Sequence, residues 1–399
     1  MFLSFDRFMV MTYRIVSADN HIEEPTDILD LLPDDLKSLA PHKVVRDGVE
    51  FLVGQGRRPI RMAYAERYGN WVDDGERRRE FRDDPDTGCN LERRQTDQAA
   101  DGVYAEVIYP NRFMAVSAHP NDRYQVAATR LYNDFLIDLF GGQPDRYAPV
   151  AVLPGMNIPD AIAELHRAAE LGYRSALMPV SIPWLPYNEP DYDPLWSAFE
   201  ETGLLCAFHV FTGNLSMYTE FADPLTIPLD RLEAYRERTD DRGFEEVLNT
   251  TVGGCTAAIS PLLHLTGCGA FDKHPDLRFV LAECEAGWLA WALSTMDRMH
   301  RRRHYGLKQL ELRPSEYFKR QGYITFSDDE VAMQLVELVG ADRMMWSNDY
   351  PHDEGTFPTS AEVVERTMGH LDDGTREKLL STTAADLYGF SEAWASAAT

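Results

Sequence analysis

Imidazole and carboxylate groups gather at a few short places along this 399-residue chain, each directly behind an apolar run. "SADNHIEEP" (17–25) sets Asp19, His21, Glu23 and Glu24 behind Tyr13-Arg14-Ile15-Val16. "LLCAFHV" (204–210) delivers His209 and "LRFVLAE" (277–283) ends on Glu283. "RMMWSND" (343–349) ends on Asp349, with His352 three residues on. These side chains ligate divalent metals and move protons near neutral pH. In a strand, residues i and i+2 share a face, so Asp19 and His21 can enter one cavity. Each group has a plainer reading on its own. Asn20 or Thr26 would cap a helix with Glu23 and Glu24 against its dipole, and Asp349 would be a turn former before Tyr-Pro. His209 would be a satisfied core histidine and Glu283 a strand margin. Recurrence at four strand ends favours a metal site built from Asp19, His21, Glu24, His209, Glu283, Asp349 and His352. Glu283, Asp349 and His352 are its candidates for catalytic work, and Glu23 points off that face as a surface charge.

Such a site needs elements that bring distant segments together. Further β-rich runs are "VYAEVIYP" (103–110), "YAPVAVLP" (147–154), "SALMPV" (175–180) and "YITFS" (323–327), which bring the strands to eight. Amphipathic stretches such as "PDAIAELHRAAELGY", stopped by Gly172, alternate with them. The alternation predicts an α/β chain folded as a single (β/α)8 TIM barrel over 1–399, whose active groups lie at strand C-terminal ends. A doubly wound open sheet is the competing architecture, but no GxGxxG or GxxxxGK[ST] loop is present to seat a nucleotide. Residues 36–100, polar and irregular, are expected to form a hairpin-like insertion after strand 1, and 211–250 a long lid after strand 5. Phe211, Tyr218, Phe221, Trp184 and Trp288 could shape an apolar pocket or simply fill the core. Asn133 could act near the rim or fix a loop, His264 reads as packing, and "RMHRRRHYG" (298–306) as a solvated face or subunit contact.

The net charge of −26 opposes binding to nucleic acid or an anionic membrane. Five cysteines without CxxC spacing argue against a disulfide framework or a zinc-thiolate site and suit a reducing cytoplasm. The start "MFLSFDRFMVMTYR" carries Asp6 and Arg7 and is not read as a signal peptide, and no run approaches the roughly 18–20 apolar residues of a membrane span. The expectation is a cytoplasmic homo-oligomer acting on a small molecule.

"ADNHIEEP", "LYNDFL", "AIAELHRAAELGYRSALMP", "YDPLWSAFEETGLLCAFHV", "HPDLRFVLAECEAGW", "PSEYF" and "WSNDYPH" together resemble the amidohydrolase-related family of metal-dependent TIM barrels. The resemblance covers most of the chain and places the family's ligands on Asp19, His21, His209 and Asp349. Two departures stand out. Asp19 takes the first place of the hydrolases' His-x-His, and "SALMPV" lacks the lysine that bridges many metal pairs. Decarboxylases of the family usually carry a histidine at Glu283 and an apolar residue at His352. The oxygen-rich donor set is similar to that of the family's dinuclear non-haem iron hydroxylases. That similarity implies two divalent ions, iron or iron with manganese, O2, and an external electron donor. The alternative is a hydrolase or non-oxidative decarboxylase of a small carboxylic acid that uses zinc or manganese. A barrel that has lost its chemistry would instead show these groups salt-bridged to arginines.

Overall fold

Near-continuous apolar runs suit strands that are covered on both faces of a parallel sheet. The computed structural model describes residues 13–25, 27–40, 42–46, 49–54, 57–61, 89–119, 121–155, 157–181, 185–213, 254–302, 309–352 and 355–390. The first strand, β1 (Ile15–His21), extends through both Asp19 and His21 and is buried along its whole length. An antiparallel sheet of β2 (His42–Arg46), β3 (Val49–Gly54) and β4 (Arg57–Arg61) follows, then helix α1 (Leu91–Ala100). The barrel resumes with β5 (Val103–Tyr109), α2 (Asp122–Phe140), β6 (Tyr147–Val152), α3 (Ile158–Leu171), β7 (Ser175–Ser181), α4 (Asp193–Thr202) and β8 (Leu205–Gly213). It ends with α5 (Gly254–Cys268), β9 (Phe279–Ala282), β10 (Gly322–Phe326) and β11 (Met344–Trp346), with further helices between and after them.

Eight strands lie in the order β1-β5-β6-β7-β8-β9-β10-β11, every neighbouring pair parallel, and form the expected (β/α)8 TIM barrel. Among the described residues, the ladder is continuous from β1 round to β11 but does not join β11 back to β1. That junction is bridged by other bonds. His21 N–H donates to the Tyr350 carbonyl at 2.7 Å, Asn348 N–H to Ser17 Oγ at 2.9 Å, and Tyr350 N–H to Asn20 Oδ1 at 3.1 Å.

Helix α3 shows how the outer layer is attached. Asn157 caps it by accepting from Asp160 N–H, and Gly172 ends it at φ 93°, where a side chain would be strained. Its inner stripe of Ala161, Leu165 and Ala168 is buried, and full burial of a leucine contributes about 1.5–3 kcal/mol. Asn133 on α2 joins the same layer by bonding both Val152 N–H and the Val152 carbonyl, at 2.8 and 3.0 Å, so it fixes β6 rather than reaching the rim. Helix α1 inverts the pattern: Arg94 and Gln98 are buried, while Ala99 and Ala100 face solvent. No helix among the described residues is long and apolar enough to cross a membrane. The expected lid beyond residue 213, residues 62–88 of the expected insertion, and Trp184, Tyr218 and Phe221 lie outside the described residues.

Candidate metal centre

Six of the seven expected ligands meet at the C-terminal mouth of the barrel. Two overlapping groups have ligand atoms within 4.8 Å of one another: His21, Glu283, Asp349 and His352, and Asp19, His21 and His209. From β1, Asp19 Oδ1 lies 3.8 Å from His21 Nε2, as expected of two residues on one strand face. From β8, His209 Nε2 lies 3.3 Å from Asp19 Oδ1 and 3.0 Å from Glu283 Oε2. Glu283 and Asp349 follow β9 and β11 in the left-handed region, at φ 52° and 55°. Non-glycine residues held there store strain of order 1–3 kcal/mol, a cost that clusters at functional sites. His21 Nε2 stands 3.5 Å from Glu283 Oε2 and 3.4 Å from Asp349 Oδ1. His352 stacks on the His21 ring at 3.9 Å, with Nδ1 3.2 Å from Asp349 Oδ1. The turn that presents Asp349 and His352 winds tightly round Gly355, where a β-carbon would run into the carbonyls of Asn348, Asp349 and His352.

Both inner histidines are oriented for ligation. His21 Nδ1 faces the Pro110 carbonyl at 2.9 Å and His209 Nδ1 the Val210 carbonyl at 2.9 Å. A proton on each Nδ1 leaves the Nε2 lone pairs aimed at the carboxylates, the tautomer usual for metal-bound histidine. Among the described residues, buried His21 Nε2 has no partner within hydrogen-bond geometry, which suits a metal-ligating nitrogen. The charge balance agrees. Burial disfavours a charged His209, yet the Asp19 and Glu283 carboxylates outweigh it and lift the ring well above the usual histidine range. Burial, then the neighbouring His352, push His21 down to about 4. Burial alone would raise the Glu283 carboxyl, but the His209 and His21 imidazoles hold it well below the usual carboxylate range. Of the two inner histidines, His209 is therefore the one whose charged form the surrounding acids favour. The ion-pair partners of Asp19 and Glu283 among the described residues are histidines, not the arginines of a disabled barrel.

Glu24 is not in either group. It is buried and accepts the Asn111 N–H at 3.0 Å, which ties the β1 loop to the loop after β5. Glu23, expected as a surface charge, is part-buried, with its carboxylate accepting from the Asn111 amide. Thr325 on β10 had no charge to mark it in the sequence, yet it connects two candidate ligands. Its Oγ1 donates to Asp19 Oδ2 at 3.1 Å and accepts Glu283 N–H at 2.9 Å. Tyr109, the strand-end aromatic of "VYAEVIYP", packs 4.8 Å from the His209 ring. Glu285, also left-handed at φ 50°, accepts Ser327 N–H at 3.1 Å behind Glu283, and burial followed by the Asp329 charge pushes it up to about 7.

Residues 93–390 match the model of the family described as Amidohydrolase. Among curated proteins, the chain is 27% identical over 253 residues to gamma-resorcylate decarboxylase of Rhizobium sp. (strain MTP-10005), covering 59% of this chain and 69% of the relative. It is 26% identical over 294 residues to the enzyme of that name from Rhodococcus jostii (strain RHA1), covering 69% and 80%. Among solved structures, it superposes with TM-score 0.63 and 19% identity on a dihydroxybenzoic acid decarboxylase from Polaromonas sp. JS666, described with bound manganese and the inhibitor 2-nitroresorcinol. That superposition covers 95% of this chain and 98% of the neighbour.

These relatives overturn the expected O2-dependent hydroxylase, since their named activity is decarboxylation. One Glu24 oxygen accepts the Asn111 N–H, and the two ligand groups share His21. With the family match spanning well over half its length, on a (β/α)8 barrel with acids and histidines gathered at the mouth, the chain belongs to the amidohydrolase family.

Proposed function

We propose that this protein is a metal-dependent, non-oxidative decarboxylase of a small aromatic acid. In this reading one divalent ion, manganese or zinc, is held by Asp19, His21, His209 and Asp349. The observation that carries it is the match to gamma-resorcylate decarboxylases over 59–69% of the chain. The ion, when bound, supplies positive charge that anchors an oxygen of the substrate. Exposure divides the remaining work. Asp19, His21 and His209 are essentially sealed, which suits holding a cation, whereas Glu283 and His352 are 18% and 17% exposed and can meet a substrate.

The reaction converts an aryl carboxylate and a proton into the arene and CO2. The electron pair of the broken C–C bond stays on the ring carbon and takes up the proton, so no carbon is oxidised by an external agent and neither O2 nor an electron donor is consumed. Glu283 is assigned to relay a proton from solvent to the ring carbon, with its backbone N–H on Thr325 and its carboxylate beside His209 setting its direction. Once His209 is neutral, as a ligand must be, the main charge that holds the Glu283 carboxyl low is gone. His352, stacked on His21, forms part of the wall against which an aromatic ring can lie. Metal-depleted protein reloaded with Mn2+ or Zn2+ should release CO2 from hydroxybenzoates such as 2,6-dihydroxybenzoate, equally fast under argon and in air. A rate that requires O2, or no CO2 from any hydroxybenzoate offered, would refute the assignment.

A further inference from the structure

Helix α1 buries the wrong kind of face. Its inner positions recur at i, i+3, i+4 and i+7, the spacing that normally brings an apolar stripe to a core. Here they are Arg94, Asp97, Gln98 and the cap residue Asp101, while Ala99 and Ala100 point outward. Every one of the four reaches a residue that is, or adjoins, a candidate metal ligand. Arg94 Nη1 donates to the His21 carbonyl at 2.7 Å, and its guanidinium lies 4.9 Å from the centre of the Tyr350 ring. Asp97 Oδ2 accepts from Tyr350 Oη at 3.0 Å. Gln98 Oε1 and Asp101 Oδ2 each accept from Asn348 Nδ2 at 3.0 Å. Tyr350 and Asn348 flank Asp349.

A second path runs through β5. Arg94 Nη2 donates to Glu106 Oε2 at 2.7 Å, the same oxygen accepts from Asn20 Nδ2 at 2.5 Å, and Asn20 Oδ1 accepts the Tyr350 N–H at 3.1 Å. Asn20 lies between Asp19 and His21. These bonds all converge on the junction between β1 and β11, where the barrel has no ladder among the described residues. Elsewhere main-chain pairing fixes the distance between neighbouring strands. At this junction only a few bonds do, and the strands on its two sides carry Asp19 and His21 on one and Asp349 and His352 on the other.

We propose that the polar face of α1, centred on the buried Arg94–Glu106 pair, is a positioning device for the metal centre: it sets the spacing of the Asp19/His21 edge against the Asp349/His352 edge. The proposal rests on the metal-centre reading. Arg94 touches neither the ion nor substrate and acts through the His21 carbonyl and Tyr350, so it is a positioning residue. Its planar fork reaches Glu106 through Nε and the His21 carbonyl through Nη1, a fixed two-nitrogen geometry that a lysine ammonium lacks.

The test is Mn2+ binding to the full chain, followed by the loss of the free-ion EPR signal, alongside thermal unfolding of the metal-free protein. Arg94→Met/Glu106→Gln removes both charges and leaves none buried alone. Arg94→Lys keeps the charge opposite Glu106 and carries the test should the double variant not fold. Leu165→Ala, on the opposite wall, supplies a comparable loss of stability away from the centre. Both brace variants are expected to bind Mn2+ about 10–100-fold more weakly than the parent, the range seen when outer supports of metal ligands are lost. Leu165→Ala is expected to bind within about twofold of the parent despite its lower melting temperature. Parent-like binding by folded brace variants would overturn the proposal, as would equal weakening by Leu165→Ala. A parent chain that binds no divalent ion would refute the metal centre itself, and the positioning role with it.

Discussion

The wall from β6 to β8 and the junction between β11 and β1 lie on the same barrel but are held together by different forces. The β6–β8 wall is tied by parallel ladders and backed by α3, whose buried stripe includes Ala161, Leu165 and Ala168, and it supplies one candidate ligand, His209. The β11–β1 junction has no ladder among the described residues and supplies Asp19, His21, Asp349 and His352. It is spanned by bonds that Ser17 Oγ and Asn20 Oδ1 accept from Asn348 and Tyr350 N–H and that His21 N–H donates to the Tyr350 carbonyl. Apolar packing is non-directional and tolerates small shifts, whereas hydrogen bonds fix angles. Both regions are buried, but main-chain ladders join the strands of one and individual hydrogen bonds join those of the other.

Substitutions on the two sides should therefore fail in different ways. The largest effect is expected at the ligands. A protein-bound zinc ion is worth about 10–16 kcal/mol shared over some four ligands, so Asp19→Ala or His209→Ala should weaken metal binding by about 100-fold or more. Both should abolish metal-dependent turnover, as measured by metal titration and CO2 release. Leu165→Ala should do the opposite, costing about 2–5 kcal/mol in denaturant unfolding with metal affinity unchanged.

Thr325→Val is a finer probe. It is nearly isosteric and removes the bonds to Asp19 Oδ2 and Glu283 N–H. Metal affinity should fall roughly tenfold, with stability changed by about 1–2 kcal/mol.

The smallest effect is a proton count. His209 is lifted above the usual histidine range and holds a proton near pH 7, whereas His21, pushed down to about 4, is already neutral there. An incoming cation should therefore displace about one proton, and affinity should rise about tenfold per pH unit until His209 deprotonates unaided. Calorimetric titration in two buffers of different ionisation enthalpy measures the number. In the metal-free protein the same shifts pull stability in opposite directions. The His209 contribution is present below pH 6.5 and lost as pH rises through its raised value. The His21 contribution is present above pH 6.5 and lost as pH falls toward about 4.

How much of this could be read from sequence depended on the kind of force involved. Charged and imidazole groups at the ends of apolar strands stand out, so Asp19, His21, His209, Glu283, Asp349 and His352 were legible, as was the barrel that gathers them. Helix α1 was not. "LERRQTDQAA" has no apolar stripe, and its buried face looks like a solvated one until Arg94 meets Glu106. Thr325 is a β-branched residue in a β-rich run, which any strand would carry. Glu24 shows the converse: adjacency to His21 in sequence suggested a ligand, whereas past the end of β1 one of its oxygens accepts the Asn111 N–H and it lies outside both ligand groups. The left-handed turn at Glu283 was invisible because no glycine announces it, whereas Asp349 before Tyr-Pro already had a turn-forming reading.

The central claim is that the metal centre supports protonation of a ring carbon with loss of CO2. Turnover of 2,6-dihydroxybenzoate or a related hydroxybenzoate by Mn2+-loaded protein in D2O tests it most directly, with mass spectrometry of the arene. The expected product carries one deuterium at the carbon that bore the carboxylate, forms in a one-to-one ratio with CO2, and appears at the same rate under argon. A product that has gained oxygen, or turnover that stops when O2 is removed, would contradict it.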